Sequence, residues 1–226
     1  MSSTIFDVDK KRTTTFNNVS GTLDSWLGFY FDKTIKKDVH TFKFGLRLHN
    51  GLAVNKGFTD RIQYEANTLT ISPRANITYE YGELFTINPS YNYSFNKTDY
   101  NNYVVNSASN FTHKFNVQVT NYWPKNWVFG NDFGYTYNSN IADGFKKDFY
   151  LWNTSLSYSF FDKKFTAKVK VYDVLNQNVS SVRRISETSI RDEQNIVLKR
   201  YAMFSLTYKL EKFAGKEKKE KRMFMW

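Results

Sequence analysis

Tyr150-Leu151-Trp152-Asn153-Thr154-Ser155-Leu156-Ser157-Tyr158-Ser159-Phe160 decides the fold. Tyr150, Trp152, Thr154, Leu156, Tyr158 and Phe160 form one alternate row, and Leu151, Asn153, Ser155, Ser157 and Ser159 form the other. Successive side chains of a strand point to opposite faces, so one face is apolar with aromatic ends and the other is mostly small and polar. That is the pattern of a strand with lipid on one side and water on the other.

The same alternation recurs in both directions along the chain. Phe42, Phe44, Leu46 and Leu48 share a face opposite Lys43, Gly45, Arg47 and His49, and Phe85, Ile87, Tyr91, Tyr93 and Phe95 share another. Trp127, Phe129, Phe133, Tyr135 and Tyr137 do likewise, and Phe165, Ala167, Val169 and Val171 stand against Lys168 and Lys170. The expected strands number about nine: 22–33, 40–50, 62–81, 84–95, 111–123, 127–137, 149–160, 165–175 and 199–210. Short polar connections are expected at 35–38, 82–83, 124–126 and 162–164. Longer ones are expected at 50–60, 97–102, 138–147 and 176–198. Short and long alternate, as they do in a barrel with tight periplasmic turns and longer external loops. The expected fold class is all-β, an antiparallel transmembrane β-barrel of up-and-down strands that is part of a larger barrel.

A soluble antiparallel barrel or sandwich also alternates, but it would turn Val, Ile and Leu inward. Here the second row carries Asn, Ser, Thr and Lys. Aromatic residues make up 19% of the chain while mean hydropathy is −0.58, a combination that follows when half of every strand is polar. No run reaches the roughly 18 apolar residues of a membrane-spanning helix. Cysteine is absent, which removes disulfide frameworks, thiol nucleophiles and cysteine-based zinc sites together.

The formal charge of +11 raises nucleic acid as a partner. Basic residues, however, are mostly scattered singly, and the tail lysines 212, 216, 218, 219 and 221 interleave with Glu211, Glu217 and Glu220. Such a run reads as a solvated end, so no nucleic-acid partner is expected. Pro73 and Pro89 fall on the apolar parity inside strands, where bulges or strand ends are expected because proline cannot donate to a ladder. The N-terminal stretch lacks the basic and apolar regions of a signal peptide. An exported barrel needs one, so the expectation is that the chain is the back part of a longer protein. Residues 1–210 are expected to be barrel and 211–226 a basic C-terminal tail.

The most specific text follows Lys168: Val171-Tyr172-Asp173-Val174-Leu175-Asn176-Gln177-Asn178, then Ser181-Val182-Arg183-Arg184, Ile190-Arg191-Asp192, and Leu198 to Leu210 reading LKRYAMFSLTYKL. This resembles the end of the large outer-membrane β-barrels related to TonB-dependent receptors: penultimate strand, corner, last loop, final strand. Leu84 to Tyr93, LFTINPSYNY, resembles a hairpin from the middle of such a barrel. The resemblance implies a 22-stranded barrel plugged by an N-terminal domain and energised by an inner-membrane complex through a short N-terminal box. Neither plug nor box is recognisable here, so the chain resembles the C-terminal portion of such a barrel. Its location would be the cell outer membrane, its function uptake of an unidentified ligand, and its surroundings outer-membrane lipid. Ala202, Phe204, Leu206, Tyr208 and Leu210 would be the row read by the barrel-assembly machinery. A plug and a TonB-type energising complex would join through N-terminal parts.

Chemistry is sparse. His40, His49 and His113 have no ligand spacing, and no glycine loop cradles phosphate. An outer-membrane barrel hydrolase would need serine, histidine and an orienting group together; His113 with Ser107 or Ser109 is a conceivable start, of a kind that a serine-rich chain makes cheap. The chain is therefore read as a non-enzyme with no cofactor, no metal and no assigned catalytic residue, and its ligand-binding residues are not named by the sequence. The alternative function is a small self-closing pore or structural barrel. Lys43, Arg47, Arg74, Lys168 and Lys170 are expected to face the lumen with Asp24, Glu80 and Asp173, as a wall of mixed charge.

Overall fold

The computed structural model describes residues 2–6, 12–16, 18–59, 62–103, 107–123, 126–141, 144–178, 180–186, 189–195, 197–210, 212–213 and 216–217. Every regular element among them is a strand. Two short strands, β1 (Ser2–Phe6) and β2 (Arg12–Phe16), precede the long ones: β3 (Leu23–Lys37), β4 (His40–Thr59), β5 (Ile62–Tyr81), β6 (Phe85–Asn101), β7 (Ser107–Trp123), β8 (Trp127–Asn138), β9 (Asp148–Phe160) and β10 (Phe165–Tyr172). A separate hairpin, β11 (Ser180–Ser186) with β12 (Ser189–Asn195), leads to β13 (Tyr201–Tyr208). Two-residue strands β14 (Lys212–Phe213) and β15 (Lys216–Glu217) pair within the tail, whose side chains lie outside the described residues.

From β3 to β10 each strand pairs antiparallel with the next, and β13 closes on β10. These nine strands are the ones the alternation marks out. β1 and β2, not foreseen, extend the same sheet, β1 lying parallel to the far end of β4 at Ser3 and Phe58. The expected bulges do not occur. β5 and β6 keep one register from Glu65–Asn101 to Tyr81–Phe85, and pairing lapses only at Ser72–Pro73 and at Ile77–Thr78 opposite Asn88–Pro89. Each proline simply omits one N–H from the ladder. On their other sides Pro73 pairs Leu48 and Pro89 pairs Val117 without interruption.

The tight turns sit where turn chemistry places them. Asp38, Gly82, Asn126 and Asp162 take φ of 52°, 51°, 70° and 51°, the left-handed region that Asp, Asn and Gly tolerate. Pro124 and Lys125 lie outside the described residues. Two of the expected long connections are instead strand: β4 and β5 stay paired from Asn50–Ile71 out to Thr59–Ile62, and β6 continues to Asn101. Beyond the lipid both faces meet water, so alternation disappears while the hydrogen-bonded ladder goes on. The 138–147 and 173–200 connections are the long ones.

The register assembles the apolar rows into one face. Phe31, Leu46, Ala75, Tyr91, Phe115, Tyr135 and Tyr150 are successive partners across seven strands. Among the described residues only Tyr64, Ala66 and Ile141 are buried apolar side chains, whereas Phe29, Phe204 and Leu206 are each more than half exposed. A water-soluble sheet would have gathered these side chains into a core. A sheet that turns them all to one open face has lipid as its counterpart. The sheet is not closed: β3 and β13 do not pair with each other.

Candidate functional site

The polar face carries whatever this wall does to solutes. Over the β5–β6 seam it forms a zipper of Thr68 to Thr98 (2.9 Å), Thr70 donating to Asn96 (2.9 Å) and Ser72 to Ser94 (3.2 Å). Below it the face opens into a hollow of about 560 Å³ lined by Asn76, Asn88, Asn116, Gln118, Asp132 and Asn153 among others. Glycine makes room for these amides. A Cβ on Gly45 would meet the Asn76 Oδ1, and one on Gly134 would stand 2.9 Å from the Asn116 Oδ1. Within the hollow the Oδ1 of Asn88 is buried without a hydrogen-bond partner. Toward the outer part of β3–β5 a second hollow of about 490 Å³ has Asp24, Trp26, Tyr30, His49, Thr68 and Thr70 in its walls. Trp26 stacks on His49 at 6.1 Å.

Lys43, Arg47, Arg74, Lys168 and Lys170 all lie on this face, as do Asp24 and Glu80, by their ladder partners. Lys43 is bonded to Glu80, and the Lys170 Nζ stands 4.4 Å from the Tyr172 ring centroid. Asp173 does not belong to the wall. It is 1% exposed and forms the corner after β10. Its Oδ1 accepts from the Gln177 N–H (2.9 Å), its Oδ2 from the Asn178 N–H (3.1 Å), and its own N–H donates to the Asn153 Oδ1 (2.9 Å). Asp173 and Asn176 have φ of 50° and 54°, which short amide and carboxylate side chains accommodate. The Asn176 Oδ1 in turn accepts from the Arg200 N–H at 3.3 Å. The corner text is therefore a brace between β9, β10 and the start of β13.

The histidines do not converge. His40 packs on Tyr79 and Tyr81 at the turn end of the sheet. His113 lies on the lipid face, hydrogen-bonded to the Tyr91 hydroxyl and ringed by Tyr93, Phe111 and Tyr137. Ser109 is four residues along the same strand, roughly 13 Å away at 3.3 Å per residue, and Ser107 is farther still. The serine–histidine pair that a hydrolase would start from is not assembled there.

Outside the lipid belt two carboxylates fasten the hairpin extensions. The Asn67 amide, with Lys56 behind it, holds the Glu65 carboxyl below its usual value. Lys97, helped by Ser107, does the same for Asp99. A lowered folded-state value means that the contribution is present above the ordinary carboxylate range and disappears as pH falls through the folded value. Acidification from pH 7 to pH 3 is thus expected to raise amide exchange around Lys56, Glu65 and Asp99, once corrected for intrinsic rates, before the lipid-facing segments respond. Equal protection at both pH values would show that these pairs fasten nothing.

Comparison with known proteins bears on the same stretch. The sequence model described as outer membrane protein beta-barrel family matches residues 66–208, from within β5 to the end of β13. No curated protein and no solved structure matches the chain.

Proposed function

The chain belongs to the outer membrane protein beta-barrel family and resides in the cell outer membrane, and from this premise we propose that its sheet is part of the wall of a larger, TonB-dependent-receptor-like transporter that takes up a ligand. The observation that carries this reading is the pair of open edges. β3 and β13, the outermost of the nine long strands, do not meet, and an unpaired edge cannot stand in hydrocarbon, where each unsatisfied backbone group costs several kcal/mol. Further strands or a closure of these edges must cover them. A wall with an amide-lined polar face suits a wide lumen in which a plug or a hydrated solute satisfies those amides. On this reading the last strand, with Phe204, Leu206 and Tyr208 in its lipid row, also serves as the segment that the barrel-assembly machinery engages, and the energising complex acts through N-terminal parts.

An antibody to residues 211–226, used on outer membranes run with and without boiling, tests the proposal. A native band far larger than 26.7 kDa is expected. A band near that mass whose mobility shifts on boiling would instead favour a small barrel closing on itself, a passive pore or scaffold.

A further inference from the structure

We propose that the lumen face holds a binding site for a small polyvalent oxyanion, carrying phosphate or carboxylate groups, built on the Arg47–Arg74 pair. Strand register puts Tyr30 opposite Arg47, Arg47 opposite Arg74, Arg74 opposite Asn92 and Asn92 opposite Lys114. Five successive side chains across five strands therefore form one row on the polar face. All five can donate a hydrogen bond, three are cations, and none is a carboxylate. Arg47 and Arg74 are both exposed, and neither guanidinium has an ion pair or hydrogen bond among the described residues.

Like charges directly opposite on neighbouring strands destabilise a sheet. The same strands show the ordinary remedy, since Lys43 on β4 is tied to Glu80 on β5. The nearest lumen carboxylate on β3, Asp32, lies over Gly45 beside Asn76 instead of on either arginine. Two adjacent guanidiniums left without acids present paired forks that match the planar oxygens of carboxylate or phosphate. The Asn92 amide and the Lys114 ammonium extend the donor row on the β6–β7 side, while the Tyr30 ring leans over Gly28. A ligand with two or more anionic groups relieves the repulsion and bridges the strands. The site requires only that this face line the lumen, so it stands whether the barrel transports cargo or merely conducts.

The test uses the protein extracted from outer membranes into detergent, with its thermal midpoint followed as sodium pyrophosphate or citrate is added at constant ionic strength. The native protein is expected to gain stability along a saturating curve. Arg47→Gln or Arg74→Gln should raise the half-saturating concentration at least tenfold, the double variant should abolish the response, and Arg47→Lys should fall between. In anion-free buffer the double variant should melt higher than the native protein, which also shows that it folds. Response to pyrophosphate alone identifies a phosphate-bearing ligand, response to citrate alone a carboxylate-bearing one, and both support the site. A rise without saturation, a rise equal in the double variant, or none in the native protein overturns it.

Discussion

Val117→Arg is expected to remove about 2–4 kcal/mol of barrel stability, the cost of a cation on the lipid face near the bilayer midplane. Gln118→Arg, one residue along, is expected to stay within about 0.5 kcal/mol, as substitutions away from packed features do. Val117 lies halfway between Phe111 and Trp123 on the lipid row of β7, with Pro89 and Phe133 as its ladder partners. Gln118 faces the lumen between Asn88 and Asp132, where water and a carboxylate receive the new charge. Unfolding midpoints of the two variants in lipid vesicles measure the difference. Similar losses at both positions would mean that the two faces do not have different solvents, and the membrane assignment of the sheet would fail with them.

How much of this was legible in the sequence follows from what alternation can and cannot encode. Period-two patterning records the solvent on each face, so β3 to β10 and β13 can be read wherever one side meets lipid, with Leu156 and Phe133 as clear as any. It goes silent where both faces are wet, which is why the outer reaches of β4 and β6 read as loops. Proline in a strand pattern signals a break in pairing geometry, yet Pro73 and Pro89 withdraw only their own N–H from one seam and the register passes through them. The charged lumen positions were identifiable one strand at a time. That Arg47 meets Arg74, while Lys43 meets Glu80, depends on the pairing register, a relation between distant segments that no single strand contains. Asp173 shows the reverse. Its parity suggested a wall charge, but the left-handed backbone at Asp173 and Asn176 turns the chain into a corner and buries the carboxylate.

That corner should be energetically heavy. Asp173→Ala strips the acceptors from two backbone N–H groups, at Gln177 and Asn178, and hydrogen bonds to a charged group are each worth about 1.5–3 kcal/mol. A loss of about 3 kcal/mol or more is expected, read as a lower temperature at which the unboiled band converts to the unfolded mobility. Asp173→Asn retains one acceptor oxygen but turns an amide N–H toward a backbone donor, so roughly half the loss is expected. The damage should also be directional. The corner holds β10 to β9 through Asn153 and to the approach of β13 through Asn176 and Arg200, so exchange protection should fall first in β13 and only later in β6 and β7. If Asp173→Ala leaves both the conversion temperature and β13 protection unchanged, the corner is no brace.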